Sequence, residues 1–270
     1  MRAFILNLLV LLLVLIQIGY KSPDYHASAA EAAIEPGSGC LVLSYHRVRP
    51  PNLLNKVLTA VGNSQELTTY SVYTDEFAAQ MQALKKQGVR FITAAELQDQ
   101  LQGKQHIEGK CALVTFDDID RTVYENAFPI LQKEHIGERQ YRHLNLATLP
   151  QLQEMKRSGL AEIGVHTYDM PHPDDDNDPS VLRPENLSAF EQDTEKAETA
   201  FRKLFGDAPR YYSYPYGFGS AATDALLQRR GYGLIFSLQP GLNSHKGSTL
   251  VKRILVSRSS WSKIEEWAQR

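Results

Sequence analysis

Short hydrophobic runs alternate along the chain with segments in which apolar residues recur at helical spacing. The clearest runs are Cys-Leu-Val-Leu-Ser-Tyr at residues 40–45 and Cys-Ala-Leu-Val-Thr-Phe at residues 111–116. Continuous apolar runs of this length are typical of strands that are buried on both faces. Between them, Phe77, Met81 and Leu84 lie on one face of a predicted helix. This alternation predicts an α/β architecture with a parallel sheet.

The remaining elements are predicted from the same periodicities and from helix start signals. Thr93 is followed three residues later by Glu96, which is the pattern of a capping box at the start of a helix. Residues 47–72 have few periodic apolar positions and are predicted to be irregular. Further strands are predicted at 89–92, 162–165, 211–214, 233–238 and 250–256, and further helices at 122–135, 149–158, 188–205, 222–230 and the C-terminus.

Residues with candidate chemistry follow several of the predicted strands directly. In α/β barrels the active site is built where the strands end, at their C-terminal side. We therefore expect these residues to meet at one site, although they are far apart in the sequence. They are His46, Asp117 and Asp118, His166, and Pro215 and Tyr216.

The carboxylate pair and the histidines have the chemistry of a metal site. Asp117 and Asp118 leave the strand in different directions, so one can bind a metal ion while the other faces a water molecule. His166 and His172 add two imidazoles, and two imidazoles with one carboxylate leave a divalent ion one position for water. A solvated loop and surface histidines are the alternative interpretation. His46 has the chemistry of a general acid.

Together these motifs resemble the polysaccharide deacetylase family, the NodB homology domain of carbohydrate esterase family 4. The similarity extends over about residues 40–268 and is greatest to the branch that deacetylates the biofilm polymer poly-β-1,6-N-acetylglucosamine. In that branch the (β/α) barrel is circularly permuted, so that the catalytic histidine lies near the N-terminus. The matching motifs are Tyr-His-Arg-Val at 45–48, Thr-Phe-Asp-Asp at 115–118, His-Thr-Tyr-Asp at 166–169, Tyr-Pro-Tyr-Gly at 214–217 and Arg-Ile-Leu-Val at 253–256.

The resemblance implies a role for each matching residue. Asp117 is expected to be the general base, and His46 is expected to protonate the leaving amine. Asp118, His166 and His172 are expected to bind one divalent metal ion, zinc, with cobalt or nickel as alternatives. The residues expected to bind the oxyanion and the substrate are Tyr216 (through its backbone N–H), Pro215, Tyr214 and Arg253.

Two departures from the family pattern affect these expectations. The branch places its second metal-binding histidine five positions after the first, where this chain has Pro171, and His172 comes one residue later. Residues 137–142 contain no apolar run where the branch has a hydrophobic strand, which predicts a distorted, permuted barrel that lacks one strand. The resemblance implies N-deacetylation of the biofilm polymer, and the two departures leave a catalytically impaired glycan-binding surface protein as an alternative. An N-deacetylase acting on peptidoglycan or a chitin-type polymer is a further alternative with the same chemistry.

The N-terminus has the pattern of an export signal. Arg2 precedes a run of about fifteen mostly apolar residues at 4–18, and Ala27-Ser28-Ala29 is a small-x-small cleavage motif. This predicts a secreted or surface-associated protein, which we expect to be a monomer. A net charge of −2 argues against a nucleic-acid partner. The family resemblance implies an N-acetylglucosamine polysaccharide as the partner. The predicted organisation is a signal peptide or anchor at 1–29, a connector at 30–39 and a deacetylase domain at 40–270.

The chain has two cysteines, Cys40 and Cys111. Each lies six residues before a candidate catalytic residue, His46 or Asp117, so the two sulfur atoms lie at one level if their strands are neighbours. A disulfide is then sterically feasible. Two small buried hydrophobic residues are the alternative.

Overall fold

The computed structural model describes residues 34, 37, 39–51, 69–118, 120–134, 138–140, 146–170, 184–217, 219–244 and 246–270. The strands are β1 (Cys40–Tyr45), β2 (Arg47–Arg49), β3 (Ser71–Tyr73), β4 (Arg90–Phe91), β5 (Cys111–Phe116), β6 (Glu138–Gln140), β7 (Ala161–Ile163), β8 (Tyr211–Ser213), β9 (Leu234–Phe236), β10 (Leu250–Val251) and β11 (Ile254–Leu255). The α-helices are α1 (Thr74–Lys86), α2 (Ala94–Leu101), α3 (Phe128–Glu134), α4 (Leu149–Arg157), α5 (Leu187–Phe205), α6 (Ala221–Arg229) and α7 (Arg258–Gln269).

The described strands form short parallel sheets, and the buried hydrophobic residues that the structure describes form four clusters. One sheet has the order β11-β1-β5-β4, a second has the order β10-β9-β8, and β6 pairs with β7. Val165, just after β7, joins β8, since its N–H donates to Tyr211 O and its carbonyl accepts from Ser213 N, both at 2.9 Å. From β3 to β9, one of the helices α1 to α6 lies between each strand and the next. This arrangement confirms the predicted α/β class.

β1 and β5 form the centre of the first sheet and set the level of the candidate site. Both strands have six residues and are buried throughout. They pair in register from Cys40 opposite Cys111 to Tyr45 opposite Phe116. Asp117 N then donates to Tyr45 O at 2.9 Å. The residues that follow the two strands therefore leave the sheet side by side.

The prediction that the barrel lacks a strand after α3 is wrong. β6 occupies that place and pairs in parallel with β7, from Glu138 opposite Ala161 to Gln140 opposite Ile163. A strand is paired through its backbone N–H and C=O groups, which polar residues supply as well as apolar ones. A three-residue polar strand leaves no apolar run in the sequence, and this is why the hydrophobic pattern missed it.

Three other predicted elements are also corrected. The strand predicted at 250–256 is divided into β10 and β11, which lie in different sheets and are separated by Lys252 and Arg253. The segment predicted to be irregular contains β2 and β3, which pair in parallel. The helix predicted at 122–135 begins with a π-helical turn at Val123–Ala127 before α3.

Cys40 and Cys111 form a disulfide between the N-terminal ends of β1 and β5. Both side chains are fully buried. The bond closes a loop with a sequence separation of 71 residues. Of the two interpretations left open by the sequence, the structure has the disulfide.

Replacing both cysteines by alanine should lower the free energy of unfolding by about 4 kcal/mol, the value expected when a loop of this length is no longer closed in the unfolded chain. Urea denaturation with and without a reductant measures the effect. The reductant should move the parent curve to lower urea and leave the curve of the Cys40→Ala/Cys111→Ala protein in place. A parent curve that is insensitive to reduction of the unfolded protein would contradict the assignment.

The predicted signal segment, residues 1–29, lies outside the described residues and stays a prediction. Most of the connector at 30–39 lies outside them too. Within the part of the chain that the structure describes, none of the helices is both long and apolar enough to span a membrane.

Candidate functional site

Asp117 follows β5 and is almost completely buried. Arg253 Nη1 donates to Asp117 Oδ1 and Nη2 donates to Oδ2, both at 2.8 Å. Burial alone would raise the pKa of this carboxyl. The charge and hydrogen bonds of Arg253 outweigh burial and hold the pKa of Asp117 well below its usual range. Asp117 is therefore ionised at any working pH, which is the form that a general base requires.

The structure corrects the expected role of Arg253. Its side chain is 1% exposed, and it lies behind Asp117 instead of on a surface that a polymer could reach. Arg253 Nε donates to Ser237 O at 2.9 Å, and Nη2 also donates to Ser213 Oγ at 2.8 Å. Because its donors are held by Asp117, Ser213 and Ser237, the guanidinium holds the Asp117 carboxylate in place and is not directed at a surface that a polymer could reach.

Asp118 has left-handed backbone geometry, with φ of 63°. This conformation is strained for a residue with a side chain, and such strain is often found at functional sites. It turns Asp118 away from its buried neighbour, so that Asp118 Oδ1 lies 3.8 Å from His166 Nε2. The Asp118 side chain is 34% exposed, so solvent reaches this carboxylate more freely than it reaches Asp117, whose side chain is 5% exposed.

His166 follows β7 and its ring is oriented by β8. Nδ1 lies 2.7 Å from Ser213 O, a carbonyl that can only accept, so Nδ1 carries a hydrogen and donates it to this oxygen, and Nε2 faces Asp118. A ring nitrogen held by a carbonyl in this way is the usual support of a metal-binding imidazole.

Asp118 and His166 fit a divalent metal ion. Their 3.8 Å separation is too long for a hydrogen bond. It suits two donor atoms that each lie about 2 Å from one shared ion. The third expected ligand, His172, lies outside the described residues and stays a prediction. Among the residues that the structure describes, no group of three His, Cys, Asp or Glu side chains is placed to hold a metal.

His46 follows β1, as predicted, and is half-buried beside the carboxylates. Its ring packs against Tyr70 with the ring centroids 4.8 Å apart. Nδ1 is buried without a hydrogen-bond partner among the described residues. Burial lowers the pKa of His46, and the negative charges of Asp117 and Asp118 partly oppose this. The imidazole is therefore neutral near pH 7 and can take up a proton generated in the site.

The Tyr-Pro-Tyr-Gly motif divides between core and surface. Tyr214 is fully buried and its hydroxyl donates to Asp224 Oδ1 at 2.7 Å, which corrects the expectation that it contacts substrate. Pro215 is also buried. Tyr216 is 38% exposed and has φ of 54°, the second strained residue besides Asp118. Gly217 after it has φ of 74°, and a Cβ there would lie 2.3 Å from Leu238 Cβ, so the turn requires glycine.

Comparison with known proteins places this geometry in a family. The polysaccharide deacetylase family model matches residues 104–235. The chain is 31% identical over 244 residues to the poly-β-1,6-N-acetyl-D-glucosamine N-deacetylase of Staphylococcus aureus strain MRSA252, an alignment that covers 85% of this chain and 83% of the relative. The chain belongs to the polysaccharide deacetylase family. The corresponding enzyme of Staphylococcus epidermidis is also 31% identical, over 243 residues, with the same coverage.

A solved structure supports the same placement. IcaB from Ammonifex degensii superposes with a TM-score of 0.77 and is 35% identical in sequence. The match covers 87% of this chain and 99% of that chain. The predicted family, fold class and enzyme class are therefore confirmed for this polysaccharide deacetylase.

Sequence reasoning missed two features of this polysaccharide deacetylase that contact the site. Asp193 on α5 accepts hydrogen bonds from the backbone of the loop that follows His166. Arg47 Nε contacts Asp120 Oδ2 at 3.1 Å and so joins the segment after His46 to the loop after Asp118. Arg47 lies in the matched motif at 45–48, but the motif does not indicate this contact, and no motif includes Asp193. The one sequence signal for Asp193 is that an acidic residue stands at a position on the buried face of its helix.

Proposed function

We propose that this protein removes N-acetyl groups from an extracellular poly-β-1,6-N-acetylglucosamine polymer and so aids biofilm adhesion. The observation that carries the proposal is the approach of Asp118 and His166 beside the buried Asp117–Arg253 pair. The names of the staphylococcal relatives support the choice of polymer.

The proposed cofactor is one divalent ion, zinc, held by Asp118, His166 and His172. When bound, such an ion supplies a Lewis acid that polarises the acetamide carbonyl and lowers the pKa of a water molecule. Cobalt and nickel, which accept the same oxygen and nitrogen ligands, are the alternatives.

The protein side chains provide the proton transfers. Asp117, ionised by Arg253, accepts a proton from the water that attacks the carbonyl carbon. The strong ion pair with Arg253 makes Asp117 a weak base, so it suits a water whose own acidity is already raised. His46, neutral at rest, takes up the proton that Asp117 removed from the water and donates it to the amine nitrogen as the C–N bond breaks.

Tyr216 is the proposed contributor to the oxyanion site, through its backbone N–H. The strained turn at Tyr216 and Gly217 fixes the direction of this segment before substrate binds, and such preorganised donors account for much of the rate enhancement in acyl transfer. The products are acetate and a sugar amine. The amine is protonated near neutral pH, so the polymer gains positive charge and can adhere to anionic surfaces.

We propose that the protein is secreted or associated with the cell surface, because residues 1–29 have the pattern of an export signal. We expect it to act on the polymer as a monomer.

Acetate release tests the proposed function. The purified protein is incubated with poly-β-1,6-N-acetylglucosamine, with chitin oligomers and with peptidoglycan, each with and without a chelator. We expect acetate from the first polymer, loss of release with chelator and recovery on adding zinc or cobalt. Release from chitin or from peptidoglycan, but not from poly-β-1,6-N-acetylglucosamine, would identify that other polymer as the substrate. No release from any polymer by protein that also holds no stoichiometric divalent ion would support the impaired glycan-binding alternative.

A further inference from the structure

The loop that carries His166 is fastened to the helix that follows it by one buried carboxylate. Tyr168 N donates to Asp193 Oδ2 at 2.9 Å, and Asp169 N donates to Asp193 Oδ1 at 2.8 Å. Each carboxylate oxygen therefore receives the N–H of one of two consecutive residues. These residues begin two positions after His166.

Asp193 is itself held in a fixed place. It lies on the buried face of α5, one turn after Phe190 and one turn before Ala197, and it is 4% exposed. Phe190 packs edge-on against Tyr212 of β8, with the ring centroids 5.8 Å apart. β8 also supplies the Ser213 carbonyl that orients the His166 ring. Helix α5, strand β8 and the loop after His166 therefore contact one another directly.

Burying a carboxylate raises the free energy of the folded protein unless hydrogen bonds or a charged partner compensate for the lost hydration. The two backbone N–H groups are directed at Asp193, and burial still raises the pKa of its carboxyl above its usual value. An apolar residue would fill this helix position without that cost. Asp193 therefore orders the start of the loop. Without it, the N–H groups of Tyr168 and Asp169 would lose these two acceptors.

We infer that Asp193 is a positioning residue for the metal site: it fixes the loop after His166 so that the imidazole is already placed to share an ion with Asp118. This inference rests on the proposed function, since it assigns the ion to Asp118 and His166. Asp193 acts through the loop backbone and touches neither the ion nor the substrate.

Asp193→Asn tests the inference, because the amide replaces one acceptor oxygen by a donor that faces a backbone N–H. The matched control is Glu198→Gln, on the same helix and equally buried, whose carboxylate pairs with Arg230 and not with the loop. Zinc and cobalt dissociation constants are measured by competition with a chromophoric chelator. We expect Asp193→Asn to raise the dissociation constant about 10- to 100-fold, the usual effect of losing an outer support of a metal ligand. Glu198→Gln should change it less than about twofold.

Two further readouts separate positioning from general destabilisation. In metal-free protein, hydrogen exchange at the amides of residues 168 and 169 should be faster in Asp193→Asn and unchanged in Glu198→Gln. Saturating metal should restore most of the acetate release of Asp193→Asn. If this variant does not fold, Asp193→Ser, which keeps one acceptor oxygen and loses the other, is measured in the same way with the same expectation.

These measurements distinguish failure of the proposed function from failure of the positioning role of Asp193. A parent protein that binds no metal overturns the proposed function, and this inference with it. A parent that binds metal, with an Asp193→Asn dissociation constant within twofold of it or equal to that of Glu198→Gln, overturns the positioning role alone.

Discussion

Asp118→Asn should abolish both metal retention and turnover. The amide is nearly isosteric but carries no charge, so it is a much poorer ligand for a divalent ion than the carboxylate. Without the ion, the acetamide carbonyl and the attacking water lose their activation. We expect acetate release to fall by more than about a thousandfold, because loss of one oxyanion donor alone costs about 10²–10³ in other hydrolases. Metal content and acetate release are measured on the same preparation.

The adjacent residue gives the matched control for this experiment. Asp117→Asn should also stop turnover, since the base is lost, but it should leave the metal bound, because Asp117 is directed at Arg253. Metal lost equally from both variants, or activity unaltered in Asp118→Asn, would be incompatible with the assigned roles.

Arg253→Met should destabilise the fold and inactivate the enzyme together. Methionine approximates the length of the arginine stem but leaves Asp117 buried without its charged partner, which costs about 3–5 kcal/mol in other buried pairs. The melting temperature should fall by roughly 10 °C. The pKa of Asp117 should rise, so a fraction of the base becomes protonated near neutral pH and acetate release is lost.

The pH dependence of stability gives a separate signature of the same pair. The folded pKa of Asp117 is lowered, so the pair contributes stability above about pH 4, where the unfolded carboxyl is also ionised, and that contribution is lost as the pH falls below it. Arg253→Met should flatten this acid dependence.

The control is Arg230→Met, which removes a partly exposed arginine from the Glu198 carboxylate remote from the site. It should lower stability less and leave acetate release intact. An Arg253→Met protein with parental activity would show that Asp117 does not need its partner.

Much of the fold could be predicted from the sequence because its central strands are long and apolar. β1 and β5 have six buried residues each, and the polar residues after them lie where parallel strand ends should place them. The pattern failed where pairing depends on the backbone alone. β6 is three polar residues long, and β10 and β11 have two residues each, which is too short for a periodicity.

The candidate site was predictable to the extent that a motif carries the chemistry itself. Asp118 and His166 are such residues, and the structure brings them together. Roles that depend on direction were not predictable. Tyr214 and Arg253 point into the core, and a linear motif does not specify on which side of the backbone a residue lies. Asp193 has no motif, because it recognises backbone N–H groups that every residue of the loop supplies.

The most direct measurement is anomalous diffraction from crystals of catalytically active protein grown with zinc. We expect one strong anomalous peak from zinc, about 2.0–2.2 Å from both Asp118 Oδ1 and His166 Nε2. An active crystal with no ion between those two atoms, or with its ion bound elsewhere, would contradict this expectation.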